Sequence, residues 1–255
     1  MNTYYGSLCS LFYDISKPTA PTDELNFYMS YTNKDMAILE PMCGSGRFML
    51  EFIHNGYAID GFDISQEMIT RFREKLEDSQ YNGTLQCCEF ASFHSEKLYD
   101  FIFIAAGSFS LITEDTQILS YLTQLKNWLQ PDGKIALTVF TNVDYRNEQP
   151  TETADAPRTV QQQNIAIQLT GTTSYNPVTG IAHSKMTYDL FENDTKTKSE
   201  NEDFFVKYYH PNEFESFIVK AGLQIESAFS DYNKTPFNGQ DSEAVVYILT
   251  KNCCD

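Results

Sequence analysis

A glycine-containing turn between an apolar strand and an amphipathic helix is the feature that most constrains how this chain can fold. The turn lies in the run ILEPMCGSGR at residues 38–47, and apolar side chains recur on one face of the helix that follows. Gly44 and Gly46 leave the backbone free of Cβ atoms, and the start of the helix offers N–H groups to a carboxylate or phosphate. The pattern predicts a strand-turn-helix unit whose turn approaches a bound molecule closely.

Alternating apolar and amphipathic segments continue this unit along the chain. They predict strands at 36–41, 57–62, 83–88, 99–105 and 133–140, and helices at 46–54, 65–77 and 115–129. Such β-α alternation predicts a parallel sheet with helices on both faces, and ligands bind at the carboxyl ends of the strands in sheets of this kind.

The segments on either side of this alternation have a different pattern. Residues 1–35 are rich in aromatic side chains and predict a helical N-terminal cap of two short helices. Residues 144–209 contain three apolar segments separated by the turns NPVTG and NDTK, which predicts a β-rich antiparallel insertion. A helix at 211–221 and strands at 223–231 and 244–250 complete the chain, and the last residues, KNCCD, are expected to fray. A length of 255 residues favours one α/β domain with an insertion.

Composition limits the classes of partner. The chain is 42% hydrophobic and 14% aromatic, as a folded globule is, and no run approaches the roughly 18 apolar residues of a membrane span. A net charge of −17 argues against nucleic acid, which is held through its phosphates. We interpret the charge first as a source of solubility, with a weak preference for cationic or neutral amine substrates as the alternative. The six cysteines lack a C-x-x-C spacing, so we expect reduced thiols, a cytoplasmic location, no membrane and no metal.

The glycine turn is compatible with more than one cofactor. A dinucleotide fingerprint requires a third glycine, whose place Met49 takes, and Glu40 at the strand end would face a pyrophosphate unfavourably. A carboxylate suits a cationic cofactor. The stretch resembles motif I of the class I S-adenosylmethionine (SAM)-dependent methyltransferases, with Met42 in place of the first of that motif's glycines. A nicotinamide cofactor and a purely structural turn remain as alternatives.

The resemblance implies a role for residues at successive strand ends. Asp63 would bind the ribose hydroxyls, Glu89 and Phe90 the adenine, and Tyr13, in a Tyr-Asp step before the motif, would close over the cofactor. Small residues at the end of the fourth strand would make room for the methyl group. The predicted cofactor-binding residues are Tyr13, Glu40, Met42, Cys43, Gly44, Gly46, Asp63, Ile64, Met68, Glu89, Phe90, Ala105 and Ala106.

The same resemblance implies the fold and the activity. It predicts a Rossmann-like, seven-stranded, mostly parallel sheet with an antiparallel last strand, in which the insertion covers the acceptor site as a lid. The predicted activity is transfer of the SAM methyl group to nitrogen or oxygen of a small molecule, leaving S-adenosylhomocysteine, in a monomer or homodimer. His183 and His210 are candidate bases, although transfer to an amine does not require one. A non-catalytic SAM-binding regulator, a nicotinamide-dependent reductase and a protein methyltransferase are the alternatives.

Overall fold

The computed structural model describes residues 5–76, 81–142, 151–239 and 242–252. Its helices are α1 (Ser7–Ser16), α2 (Thr22–Met29), α3 (Met49–His54), α4 (Gln66–Leu76), α5 (Asp115–Trp128) and α6 (Glu213–Lys220). Its strands are β1 (Ile38–Pro41), β2 (Ile59–Asp63), β3 (Leu85–Cys87), β4 (Tyr99–Ile104), β5 (Leu129–Thr141), β6 (Thr151–Ala154), β7 (Arg158–Gln162), β8 (Ile165–Asn176), β9 (Ile181–Glu192), β10 (Thr195–Tyr209), β11 (Leu223–Phe229) and β12 (Ala244–Lys251).

The central sheet has the predicted mixed α/β architecture. Strands β3, β2, β1, β4 and β5 lie side by side in parallel, β12 pairs antiparallel with β5, and β11 pairs antiparallel with β12. These seven strands confirm the expected Rossmann-like order with an antiparallel last strand. The carboxyl ends of β1, β2 and β4 meet at one edge of the sheet, because they are neighbours with the same direction.

Two apolar cores cover the faces of this sheet, since a strand between two helical layers must bury both of its sides. On one face, Ile102, Ile104 and Leu137 pack under α5 and α6. On the other, Phe101 and Phe103 pack under α2, α3 and α4. The side chains of β4 therefore alternate between the two apolar cores, and this packing on both faces fixes the position of the carboxyl end of β4.

The insertion extends the sheet beyond the seven expected strands. The last two residues of β10, Tyr208 and Tyr209, pair in parallel with Phe140 and Thr141 of β5. Upstream of that junction β10 pairs with β9, β9 with β8, and β8 with both β6 and β7, which gives twelve strands in the described part of the chain. The three long strands confirm the predicted pattern. The short strands β6 and β7 were not predicted, because polar residues dominate them and leave no apolar alternation to detect.

Helix α1 packs on the insertion and not only on the central sheet. Leu8, Cys9 and Phe12 form a separate apolar cluster with Leu169 and Tyr188 of the insertion. Two short helices, α1 and α2, thus precede β1. The predicted start of the insertion at 144, the predicted end of helix α4 at 77 and the last two cysteines, Cys253 and Cys254, lie outside the described residues.

Candidate active site

A cavity of about 440 Å³ opens at the carboxyl ends of β1, β2 and β4. Its wall contains twelve of the thirteen residues predicted to bind the cofactor: Tyr13, Glu40, Met42, Cys43, Gly44, Asp63, Ile64, Met68, Glu89, Phe90, Ala105 and Ala106. Residues separated by up to 93 positions in the sequence thus surround one space, which is large enough for a small-molecule ligand.

The turn after β1 depends on left-handed backbone conformations. Met42 has a φ of 58° and Gly44 a φ of 57°, so Met42 adopts a left-handed conformation, which residues with a Cβ rarely adopt. Gly46 has a φ of 80°, and a Cβ there would come within 2.3 Å of the Phe72 ring of α4. Gly46 does not line the cavity. The requirement for glycine at this position therefore comes from helix packing.

Met49 marks a difference from a dinucleotide-binding turn. Its side chain is fully buried at the start of α3, and a Cβ built on Gly61 of β2 would lie 2.3 Å from the Met49 sulfur. In dinucleotide-binding folds the third glycine lets the helix approach the sheet closely. Here the glycine is on the strand and the bulky side chain is on the helix.

Asp63 holds the turn from the end of β2. One carboxylate oxygen accepts a hydrogen bond from the Gly44 N–H at 2.8 Å, and the other accepts from the Ser65 N–H at 2.8 Å. Burial raises the pKa of this carboxyl, and the backbone N–H donors oppose the shift because they favour the charged form. Asp63 thus lines the cavity in a fixed orientation, with acceptor capacity left for further donors.

Glu40 and Arg47 bring two unsatisfied polar groups to the same cavity. Glu40 is 2% exposed, and its Oε2 atom has no hydrogen-bond partner. The Nε atom of Arg47 is also buried without a partner, while its guanidinium lies 5.0 Å from the Phe48 ring. Burial raises the pKa of Glu40 well above its usual range, and the positive charge of Arg47 opposes this shift. A buried carboxylate oxygen and a buried guanidinium nitrogen fit the ammonium and carboxylate of an amino-acid group.

Helix α1 forms the cover of the cavity. Tyr5 and Tyr13 line the wall, and Asp14 accepts hydrogen bonds from the Ser45 hydroxyl and from Lys75, which lies 2.8 Å away. The C-terminal end of α1 is therefore tied to the glycine turn. That Tyr13 closes over the cofactor stays a prediction.

The end of β3 forms a flat aromatic region. Phe90 stacks on Tyr121 with ring centroids 4.2 Å apart and lies 5.3 Å from Trp128. Glu89 precedes it, and both line the cavity. An aromatic wall beside a carboxylate is suited to a purine with an exocyclic amino group.

The end of β4 provides a wall of small residues. Ala105 and Ala106 line the cavity together with Ser108, whose hydroxyl donates to the Ala105 carbonyl at 2.8 Å. Ala106 and Gly107 have φ angles of 57° and 69°, which turn the chain sharply away from the strand.

The two candidate bases lie outside the cavity wall. His183 is 2.6 Å from Asp203 and stacks on Phe205, which lines the cavity. His210 is 2.6 Å from Asn142 and lines a separate cavity of about 50 Å³. His183 thus contacts a residue of the cavity wall without lining the cavity itself, and the catalytic role of either histidine stays a prediction.

Several lining residues were not predicted from the sequence. Arg47 follows the glycine turn directly, and a positive charge next to Glu40 was a signal that the sequence offered. Glu114 and Gln117 at the start of α5, and Phe205 on the insertion, belong to no short motif. Only the three-dimensional arrangement reveals them.

Within the described ranges, no three His, Cys, Asp or Glu side chains come together as metal ligands do. None of the described helices is long and apolar enough to cross a bilayer.

A family model and a curated relative both relate this chain to methyltransferases. Residues 38–133 match the family model described as a methyltransferase domain. A curated relative, YqeM of Bacillus subtilis (strain 168), provisionally named a methyltransferase, is 19% identical over 244 residues, with 94% of each chain covered.

Solved structures share the fold over almost the whole chain. The CcbJ methyltransferase from Streptomyces caelestis has a TM-score of 0.79 at 16% identity and covers 98% of this chain and 99% of its own. A SAM-dependent methyltransferase from Clostridium acetobutylicum ATCC 824 has a TM-score of 0.76 at 13% identity, covering 95% and 97%. The sugar N-methyltransferase KedS8 from Streptoalloteichus sp ATCC 53650 has a TM-score of 0.75 at 10% identity, covering 99% and 96%.

The matched segment contains β1 to β4, whose carboxyl ends carry the unsatisfied Glu40 and the turn-holding Asp63. The match identifies residues 38–133 as a methyltransferase domain, and the solved structures show that the chain has the fold of SAM-dependent methyltransferases.

Proposed function

We propose that this protein transfers the methyl group of SAM to a nitrogen or oxygen atom of a small-molecule acceptor. The observation that carries the proposal is the unpartnered Oε2 of Glu40, buried in a cavity with the unpartnered Nε of Arg47. Buried polar atoms without partners are rare in native proteins, so this pair calls for a ligand that carries both charges. SAM has an α-amino and an α-carboxylate group.

The cavity wall supports an assignment of each part of the cofactor to residues of this chain. Glu40 would bind the ammonium and Arg47 the carboxylate, Asp63 would accept from the ribose hydroxyls, and Glu89 with Phe90 would hold the adenine. When bound, SAM supplies an electrophilic methyl group on a sulfonium. The contribution of the protein is then to hold the acceptor in line with that methyl group and to exclude water.

The charges in the wall favour an acceptor that is not anionic. Four carboxylates, those of Glu40, Asp63, Glu89 and Glu114, line the cavity, and Arg47 is the one Lys or Arg among its described lining residues. An anionic acceptor would meet net negative charge, whereas an amine would be attracted. The likeness to a sugar N-methyltransferase is in keeping with an amine acceptor.

The insertion supplies the remaining wall and, in this proposal, acts as the lid of the acceptor site. Phe205 of β10 faces the same space as Leu111 and Ile112, which follow the end of β4. These apolar side chains offer a surface to the body of the acceptor. We place the protein in the cytoplasm, in keeping with the free thiols of the four described cysteines, Cys9, Cys43, Cys87 and Cys88.

The need for a base depends on the acceptor. A neutral amine attacks without one, whereas a hydroxyl acceptor needs a group to take its proton. His183 and His210 are the candidates, and each would have to move to reach the cavity. His183→Gln and His210→Gln should each change kcat less than about threefold with an amine acceptor, whereas loss of a true base lowers the rate about 10²- to 10⁴-fold.

The test is binding followed by turnover. Calorimetry should detect SAM and S-adenosylhomocysteine but not NADH, and Asp63→Asn should weaken both of the former. A panel of amino sugars, alkylamines and phenols should then yield S-adenosylhomocysteine with at least one acceptor. Absence of SAM binding would refute the proposal, and binding without turnover on any acceptor would favour a regulatory role.

A further inference from the structure

We infer that Glu24 of α2 is a positioning residue, which fixes the end of β4 beside the site where methyl transfer takes place. Glu24 is not in the cavity wall and belongs to no motif that the sequence shows. It acts through the backbone of Ala106. This inference rests on the proposed function, because it assigns the β4 end to the methyl-transfer site.

A buried carboxylate of α2 binds a backbone N–H of the turn after β4. Glu24 is 4% exposed, and its Oε1 atom accepts a hydrogen bond from the Ala106 N–H at 2.7 Å. The two residues are 82 positions apart. A hydrogen bond from an N–H to a carboxylate is stronger than one between neutral groups, so this contact holds the Ala106 backbone firmly against α2.

The carboxylate is itself held in place by aromatic residues. Its Oε1 also accepts from the Tyr28 hydroxyl at 2.9 Å, and the Tyr28 ring stacks on Phe103 of β4 at 4.7 Å. Tyr232 adds a second hydroxyl that interacts with Glu24, and its oxygen lies 3.0 Å from the Thr138 hydroxyl of β5. Glu24 is therefore fixed relative to two strands of the sheet.

The turn that Glu24 holds is under strain. Ala106 adopts a left-handed conformation that disfavours alanine, and it precedes Gly107, where a Cβ would come within 2.4 Å of the Phe140 ring. A strained conformation persists only when surrounding contacts maintain it. The Glu24 contact does so for Ala106, and thereby sets where Ala105, Ala106 and Ser108 stand in the cavity wall.

Ligand binding can test this inference without a known acceptor. Sinefungin has an amine-bearing carbon in place of the methylated sulfur of SAM, so that its amine takes the place of the methyl group, whereas S-adenosylhomocysteine has a thioether sulfur with no group at the methyl position. Glu24→Ala should weaken sinefungin about tenfold and S-adenosylhomocysteine less than about threefold, because only sinefungin reaches the displaced wall. Glu24→Gln retains an acceptor for the Ala106 N–H and should keep the wild-type ratio of the two Kd values.

Hydrogen exchange gives a second readout, independent of any ligand. Exchange at the Ala106 amide should accelerate at least about tenfold in Glu24→Ala, because its hydrogen-bond acceptor is lost. Asp23→Ala is the matched control, since Asp23 lies next to Glu24 in the first turn of α2 but is exposed. It should change neither readout.

The outcomes separate this inference from the proposed function. Equal weakening of both ligands, unchanged exchange at Ala106, or a Glu24→Gln variant that behaves like Glu24→Ala would each overturn the positioning role, the last because charge alone would then explain the effect. If the wild-type protein binds neither ligand, the proposed function fails, and with it the role at the methyl-transfer site. The exchange result would then still decide whether Glu24 holds the end of β4.

Discussion

Replacing Glu40 with glutamine should weaken SAM binding strongly without destabilising the protein. The side chain is buried at the end of β1, and its unpartnered oxygen is the proposed partner of the cofactor's ammonium. Glutamine keeps the shape and removes the charge. A hydrogen bond to a charged group contributes about 1.5–3 kcal/mol, which corresponds to roughly a 10- to 150-fold increase in Kd.

The same substitution should raise the stability of the cofactor-free protein or leave it unchanged. Burial raises the pKa of Glu40, which means that the folded protein is penalised for holding this group charged. Glutamine therefore removes the free-energy cost of burying a charge at this position. The Tm of Glu40→Gln without cofactor should be equal to or above that of the wild type at pH 7.

Calorimetric titration with SAM and a thermal melt measure the two effects on the same sample. Glu51→Gln is a matched control, because Glu51 lies on the adjacent helix α3 and does not line the cavity. It should leave Kd unchanged. A Glu40→Gln variant that binds SAM as tightly as the wild type would refute the assignment of the ammonium to Glu40.

Three further predictions test other parts of the structure. Because burial raises the pKa of Glu40, this group contributes stability that is fully present below 4.5, the usual glutamate pKa, and is lost as pH rises through the pKa of the folded state. The unfolding free energy of the cofactor-free protein should therefore fall between these two pKa values, and it should fall less in Glu40→Gln. Equal slopes in denaturant melts at a series of pH values would contradict this. Gly46→Ala should lower the unfolding free energy by about 2–4 kcal/mol, because backbone strain at φ 80° adds to overlap with the Phe72 ring. Gly239→Ala is the control, with a φ of 81° and nothing within 4 Å of its Cβ, and should cost about 1 kcal/mol. Equal losses would show that packing against Phe72 plays no part. Phe205→Ala should raise the acceptor KM about 5- to 30-fold, because it removes about 1–2 kcal/mol of apolar contact, and it should leave the Kd for SAM unchanged. Val178→Ala, at an exposed position, is the control. Steady-state kinetics in which only the affinity for SAM changes would argue against Phe205 as part of the acceptor wall.

The sequence predicted the parts of the structure that depend on local pattern. The β-α alternation and the residues at successive strand ends were visible because each strand is an apolar run followed by a polar or small residue. Asp63 and Glu40 could be placed in this way. The short strands β6 and β7 could not, because their pairing with β8 comes from backbone hydrogen bonds between polar segments.

The contacts that complete the site were beyond such patterns. Gly46 reads as a cofactor glycine in sequence, yet it is the Phe72 ring, 26 positions away, that requires the absence of a Cβ. Phe205 and Glu24 reach the site region from the insertion and from α2, so their spacing from the glycine turn has no fixed value. The same holds for the stacking of His183 on Phe205.

Above all, we propose that the cavity beside Glu40 and Asp63 binds SAM. Calorimetric titration of the wild-type protein with SAM tests it most directly, with NADH as the competing nucleotide. We expect one SAM per chain with a Kd on the order of 1–100 μM, displacement of SAM by S-adenosylhomocysteine, and no heat of binding with NADH. Binding of NADH without binding of SAM would contradict it.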